Sequence, residues 1–167
     1  MHVMVATDGS LDAEKAAAMA ASLAGESGRV TVFTVVEVPR QLLADLRSAA
    51  SEPGGADIDV EHRLTQAGNS APGNWVGDDA FVANYVKRIT TTRTSEMVGN
   101  LEARGVDCEV IGVEGESASR SVLEAVKEHA PDVLCIGTHG LGRFEGLLGS
   151  LSTKVARLAP CPVLLVR

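Results

Sequence analysis

Aromatic and basic residues are scarce in this sequence, and their scarcity excludes one broad class of partner. The 167 residues include one Trp, one Tyr and three Phe, and 15 Lys and Arg stand against 22 Asp and Glu, which leaves a net charge of −7. Nucleic-acid binding depends on clustered basic side chains, and single strands also need aromatic side chains on which bases stack. The composition therefore predicts a protein without a nucleic-acid partner.

Long apolar runs are also missing. No stretch approaches the roughly 20 apolar residues that a membrane-spanning helix needs. The opening MHVMVATDGS lacks the charged segment and the apolar run of a secretion signal. We therefore predict a cytoplasmic protein without membrane contact.

Cysteine occurs three times, at Cys108, Cys135 and Cys161. The three residues form no CxxC pair and do not have the spacing of metal ligands. Each falls in a segment that we predict to be a strand. We therefore expect buried free thiols, which pack as small apolar side chains.

The length and composition fit a single domain over residues 1–167, with 45% hydrophobic and 22% charged residues. One segment breaks the pattern. Residues 50–80 hold five Gly, two Pro, six acidic residues and one basic residue, and loops of this length are commonly functional or disordered. We predict a flexible insertion at about 39–80.

Short β-rich apolar runs alternate with helical periodicity along the rest of the chain. Strands are predicted at 2–7, 30–38, 106–113, 132–137 and 161–166, and helices at 11–25, 81–104, 117–129 and 150–159. We expect Ser10 to cap the first helix and Ser150 the last.

This alternation predicts an α/β fold, a five-stranded parallel sheet that is doubly wound, with helices on both faces. In such sheets ligands bind beyond the carboxyl ends of the strands, where the winding direction reverses. The segments expected to meet there are Thr7–Ser10, the residues after Val35 and the loop after Ile136.

The loop after the fourth predicted strand is rich in glycine, with five Gly among residues 137–149. Glycines allow main-chain N–H groups to approach a ligand, and the following helix begins with unpaired N–H donors. Ser150 offers a hydroxyl group and Arg143 a charged donor for phosphate. A tight turn without a ligand is the alternative, but five glycines carry a large entropic cost. We favour an anion site, with polyphosphate as the natural ligand.

Apart from the insertion at 39–80, the chain resembles the universal stress protein family throughout, and three segments carry the resemblance. They are the opening strand with Thr-Asp-Gly-Ser at 7–10, the strand and turn DVLCIGTHG at 132–140, and the closing APCPVLLVR at 159–167. Nucleotide-binding members carry G-x2-G-x9-G-(S/T) after the fourth strand. Here eight residues, one fewer than in that pattern, separate Gly140 from Gly149. The resemblance implies the adenine nucleotide alpha hydrolase-like form of the fold.

The resemblance also implies a site for an adenine nucleotide, ATP with Mg²⁺. Asp8 and the backbone around Ala6 and Thr7 would lie near the adenosine, and Val35 would border the adenine. The residues that would surround the ribose and phosphates are Ile136, Gly137, Gly140, Gly149, Ser150 and Leu151. His139 lies in the same loop, where contact with a phosphate and a structural hydrogen bond are both open and the structural role is favoured. Family members tend to dimerise through the last strand, so the resemblance implies a homodimer through 161–167.

Three functions follow as hypotheses. The first, which we favour, is a stress-response regulatory protein that binds ATP and acts on an unidentified protein partner. The second is an enzyme such as a nucleotide hydrolase; the glycine loop offers only His139 and Arg143 for catalysis, so we expect slow hydrolysis at most. The third is a dimeric interaction protein without a small ligand.

Overall fold

The computed structural model describes residues 1–39, 78–138 and 149–167, and in the second range it describes side chains from residue 81 onward. Strands and helices alternate along these ranges. The strands are β1 (His2–Ala6), β2 (Arg29–Val36), β3 (Cys108–Glu114), β4 (Val133–Gly137) and β5 (Val163–Val166). The helices are α1 (Ala13–Ala24), α2 (Asp78–Glu102), α3 (Ala118–His129) and α4 (Ser150–Leu158).

The five strands form one parallel sheet in the order β3-β2-β1-β4-β5. From β1 the chain adds β2 and β3 on one side and then returns to add β4 and β5 on the other. The direction of winding therefore reverses between β1 and β4. This confirms the predicted doubly wound α/β fold.

Alternating strand residues fill two separate cores, one on each face of the sheet. Val3 and Val5 pack with α1 and the end of α2, whereas Met4 and Ala6 pack with α3 and α4. All five residues of β1 are buried, as expected for a central strand covered on both faces. Each fully buried Val contributes about 1.5–3 kcal/mol by leaving water.

Helix α1 begins two residues later than its sequence predicts. Asp12, not Ser10, is the N-cap residue, because its side chain accepts a hydrogen bond from the main-chain N–H of Lys15. That hydrogen bond also lowers the pKa of the Asp12 carboxyl. Ser10 belongs to the preceding turn, where it donates to Asp8. The face of small residues that the helix buries ends at Ala24, where Gly25 turns the chain with φ 68°.

Helix α2 begins at Asp78, so the last three residues of the predicted insertion are helical. The threonines at 91–94 do not break the helix. The hydroxyls of Thr91, Thr92 and Thr94 donate to carbonyls four residues earlier, a bond that can bend a helix but does not end it. The helix lies close to β3. A Cβ atom added at Gly112 would come within 1.8 Å of the Thr90 hydroxyl oxygen, so this contact requires glycine.

The contacts divide the chain into two compact units. One consists of Met1–Glu37 and Val86–Arg167 and contains the whole sheet; the other is Val38–Tyr85. In the second unit the rings of Phe81 and Tyr85 stack with their centroids 6.2 Å apart. Residues 40–77 lie outside the described ranges, so the flexibility of the insertion and the single-domain organisation stay predictions.

The three cysteines are free, but their burial differs from expectation. Cys135 in β4 is fully buried, and burial raises the pKa of its thiol to about 11. Cys108 and Cys161 are half-buried, and Cys161 precedes β5 instead of lying in it. Over the described ranges the side chains provide no cluster of three potential metal ligands, and none of the helices is long and apolar enough to cross a membrane.

Candidate functional site

The carboxyl ends of β1, β2 and β4 lie side by side at one edge of the sheet. Ala6 is paired with Phe33 of β2 on one side and with Ile136 of β4 on the other. The winding reverses between β1 and β4, and ligands of open parallel sheets bind beyond such a point. We name this region the carboxyl edge; its residues are Thr7–Ser10, Val35–Val36, Gly137–Thr138 and Gly149–Leu151.

The turn after β1 holds Asp8 at the carboxyl edge. Thr7 donates its main-chain N–H to the Phe33 carbonyl at 2.9 Å and accepts the Gly9 N–H on its hydroxyl oxygen at 3.0 Å. Asp8 Oδ1 accepts from the Ser10 N–H at 3.0 Å and from the Ser10 hydroxyl at 2.5 Å. Gly9 has φ 89°, a value that glycine adopts without strain. The turn thus fixes an exposed carboxylate, which accepts hydrogen bonds from hydroxyl groups or binds a cation.

The start of α4 is fastened to the end of β4. The Gly149 N–H donates to the Thr138 carbonyl at 2.9 Å, and the Ser152 hydroxyl donates to the Gly137 carbonyl at 2.7 Å. The first intrahelical bond runs from the Thr153 N–H to the Gly149 carbonyl. The N–H groups of Ser150 and Leu151 therefore lack helical partners at this end. Such a helix terminus, with its positive dipole end, favours an anion.

The N-cap residue of α4 is Gly149, so the prediction that Ser150 caps this helix is wrong. Ser150 is the first helical residue and is exposed, and the N-cap glycine has no side chain that could accept a hydrogen bond. Because its hydroxyl is not engaged as a cap, Ser150 still presents a donor at the carboxyl edge. The first turn of α4 itself contains no acidic side chain that would neutralise the positive end of the helix dipole.

Arg93 of α2 reaches the carboxyl edge from the face of the sheet that α1 and α2 cover. Its Nη1 donates to the Val35 carbonyl at 2.7 Å. Its aliphatic stem lies over Gly9, where an added Cβ atom would be 3.4 Å from Arg93 Cγ. The side chain thus joins the turn after β1 to the end of β2 and brings a positive charge to the edge.

The structure places nine of the twelve predicted site residues. Ala6 and Ile136 have buried side chains, so only their main chain faces the carboxyl edge. Asp8 and Ser150 are exposed. The half-buried members of the set are Thr7, Val35, Gly137, Gly149 and Leu151. His139, Gly140 and Arg143 lie outside the described residues.

Arg93 and Ser152 are the residues that sequence analysis missed. Both occupy helix positions that the apolar pattern assigns to the buried face, Arg93 between Ile89 and Met97 and Ser152 one turn before Val155. A polar residue in such a position was the available signal, because it must find a partner when it is buried. Each satisfies a carbonyl at the end of a strand, and that partner is not visible in the sequence.

The opposite edge of the sheet carries a buried histidine that is not part of this site. His2 Nδ1 lies 3.1 Å from Arg29 Nη2, and Nε2 lies 2.9 Å from the Thr31 hydroxyl oxygen. Burial and then the charge of Arg29 lower the pKa of His2. The imidazole is therefore held neutral, with Nδ1 accepting from the guanidinium.

Comparison with solved structures shows the same fold in proteins of one family. A universal stress protein in complex with cAMP is 24% identical to this chain with a TM-score of 0.56, and the match covers 100% of this chain and 97% of that one. The universal stress protein from Archaeoglobus fulgidus in complex with dAMP is 18% identical with a TM-score of 0.54, and the match covers 100% and 98%. At these identities the likeness establishes the fold.

Sequence comparison extends the likeness to curated proteins. Universal stress protein YxiE of Bacillus subtilis is 42% identical over 65 residues, which are 38% of this chain and 43% of that protein. The matches span 43% and 36% of the length of two curated relatives, less than half in each case. The universal stress protein family model matches residues 1–167. The chain therefore belongs to the universal stress protein family.

Proposed function

We propose that this protein binds an adenine nucleotide, ATP with Mg²⁺, at the carboxyl edge and regulates a cytoplasmic stress response. One observation carries the proposal. The N-terminal end of α4, whose N-cap residue is glycine, is joined to the end of β4 by the Gly149–Thr138 hydrogen bond, at the point where the winding of the sheet reverses. Unpaired N–H donors and a positive dipole end at this point suit a phosphate group.

The proposed assignment divides the carboxyl edge between the two ends of the nucleotide. Asp8 and the main chain of Ala6 and Thr7 contact the adenosine, and Val35 borders the adenine. The remaining residues surround the ribose and phosphates: Ile136, Gly137, His139, Gly140, Arg143, Gly149, Ser150 and Leu151. The acidic Asp8 lies away from the phosphates in this arrangement, which avoids repulsion between like charges.

Two proteins of the same fold support the choice of ligand. The structures in complex with cAMP and with dAMP both hold an adenine nucleotide. The proposed function is binding, with ATP hydrolysis slow at most, and its output is a contact with a regulatory protein whose identity is open. We further propose a homodimer formed through the C-terminal strand, residues 161–167.

Titration calorimetry with ATP and Mg²⁺ tests the site when wild type is compared with Gly149→Val. Gly149 has φ −57° and ψ 155°, which valine adopts without strain. A loss of ATP binding would therefore show that the valine side chain blocks the space beside the α4 N–H groups. We expect the variant to bind ATP at least tenfold more weakly, about 1.4 kcal/mol, because the side chain displaces the phosphate from its donors.

Gly99→Val is the matched control. Gly99 lies in α2, and among the described residues no atom outside the adjoining helix backbone would approach within 4 Å of an added Cβ. We expect this variant to bind ATP as the wild type does. Equal ATP affinity in Gly149→Val and wild type would contradict the proposed site, and absence of heat with wild-type protein would contradict nucleotide binding itself.

A further inference from the structure

Main-chain groups at the end of β2 leave one carbonyl without a strand partner. The Phe33 carbonyl faces β1 and accepts the Thr7 N–H at 2.9 Å, whereas the Val36 carbonyl faces β3 and accepts the Gly115 N–H at 3.1 Å. Because strand carbonyls alternate in direction, the Val35 carbonyl points to the same side as that of Phe33. There β1 has already turned away, and the Gly9 N–H that could reach it donates to the Thr7 hydroxyl instead.

Arg93 takes the place of that missing strand donor. Its Nη1 lies 2.7 Å from the Val35 oxygen, which is within the range of a strong hydrogen bond from a charged donor. Its stem is held over Gly9. A guanidinium has five N–H donors and no acceptor, so several donors remain after one is used. Within the described part of the chain Arg93 forms no ion pair.

As a consequence, a ligand at this point of the carboxyl edge meets a hydrogen-bond donor instead of an acceptor. A strand end with an open carbonyl accepts a hydrogen bond from a ligand amino group. Here the guanidinium uses one of the two lone pairs of the carbonyl oxygen, and the group that stands beside that oxygen is a charged donor. A base that lies against Val35 would therefore meet N–H groups where it would otherwise meet an acceptor.

We propose that Arg93 is a specificity-determining residue that prevents the site from reading the 6-amino group of a purine. This inference rests on the proposed function, since it assumes that the base lies beside Val35. A purine with a 6-oxo group offers Arg93 an acceptor, and adenine offers it a donor at the same position. The site then binds adenine nucleotides through their sugar and phosphates without strong selection for the base.

The test compares ATP with ITP, two triphosphates that differ at position 6 of the base. Because both carry the same phosphates, the effect of the Arg93 charge on the phosphates cancels in the ratio of their Kd values. In the wild type we expect ITP to bind at least as tightly as ATP, because the 6-oxo group can accept a hydrogen bond from Arg93 whereas the 6-amino group finds a donor there. Calorimetry with Mg²⁺ present measures both.

Arg93→Met removes every donor and keeps an unbranched stem over Gly9. The Val35 carbonyl then becomes available to the 6-amino group, and we expect the ratio to shift about tenfold in favour of ATP, the effect of one added hydrogen bond. Arg104→Ala is the matched control, because Arg104 also donates to a main-chain carbonyl, that of Asn100 at 2.8 Å, but is exposed just after α2. We expect its ratio to equal that of the wild type.

The outcomes separate this inference from the function on which it rests. A wild-type preference for ATP over ITP above about threefold, or an unchanged ratio in Arg93→Met, would overturn the role of Arg93 while nucleotide binding stands. Failure of the wild type to bind either triphosphate would overturn both. The ratio of the ATP and ITP Kd values is measured on the wild type alone. The inference can therefore still be refuted if Arg93→Met folds poorly.

Discussion

The neutral state of His2 shows how one side chain links the pH of the solution to the stability of the sheet. Its imidazole accepts a hydrogen bond from Arg29 and contacts the Thr31 hydroxyl. Its main-chain N–H donates to Asp132 Oδ2 at 2.6 Å. Protonation would place a second positive charge against Arg29. Burial and Arg29 therefore hold the pKa of His2 below its ordinary value of 6.5.

The lowered pKa predicts that the protein loses stability in mild acid. The folded state binds a proton at His2 less readily than the unfolded chain, so this contribution is complete above about pH 6.5 and is lost as the pH falls through the folded pKa. Urea unfolding of the wild type between pH 7 and pH 5 should show the decrease.

His2→Gln provides the comparison, because glutamine does not titrate and still offers a donor and an acceptor. We expect a smaller loss of unfolding free energy for this variant between pH 7 and pH 5. Other titrating groups contribute equally to both proteins and cancel in the difference. Parallel pH profiles for the two proteins would show that His2 is not the group responsible.

Residue-level predictions from sequence succeeded where a side chain acts within its own segment. Asp8 was identified from the turn after an apolar strand, and it lies in that turn. Arg93 and Ser152 were not identified, because each acts on a carbonyl of a distant strand and the partner is set by how the helix packs on the sheet. The prediction of Ser10 instead of Asp12 as the cap of α1 is a local error, since both residue types are common N-caps and the two positions are only two residues apart.

At the scale of elements, the strands were predictable because burial on both faces demands continuous apolar sequence. The predictions for β2 and β4 differ from the structure by two residues at most. The start of α2 was predicted at residue 81, three residues after its observed start at Asp78, because the Gly-rich sequence before Asp78 shows no helical periodicity. The sequences of the two edge strands, β3 and β5, do not show which of them forms an interface with another molecule.

The direction of main-chain groups gives a test of the proposed dimer through β5. The carbonyls of Pro162 and Val166 accept bonds from β4, so the N–H of Val163 points to the open edge. On β3, Gly115 donates to β2, so the N–H of Val110 also points outward. Both valines therefore carry a free edge donor, one on each side of the described sheet.

Val163→Pro removes the main-chain N–H that points to the open edge and leaves the hydrogen bonds between β5 and β4 in place. Proline is tolerated at the first residue of an edge strand. We expect light scattering to give twice 17.4 kDa for the wild type and the monomer mass for this variant at the same concentration. Val110→Pro, the same change on the opposite edge, should remain dimeric. A monomeric wild type, or a dimer that only Val110→Pro disrupts, would contradict the proposed interface.

At the scale of the whole molecule, the fold and the family follow from the alternation of elements together with the opening and closing segments of the sequence. The carboxyl edge was also predictable, because the order of strands in a doubly wound sheet determines where the winding reverses. The character of that edge was predictable only in part. The donors at the start of α4 were expected from the glycine loop, but the Arg93 donor of α2 was not, because its partner is determined by how that helix packs on the sheet.

The most direct test of the account maps the binding site in solution. Amide chemical shifts of the wild type, followed by NMR during titration with ATP and Mg²⁺, should change most at Ala6–Asp8, Val35, Ile136–Thr138 and Gly149–Leu151. His2, Arg29 and Asp132, at the opposite edge of the sheet, should change little. Shifts concentrated at that opposite edge, or no shifts at saturating ATP, would contradict the claim that the carboxyl edge holds a nucleotide.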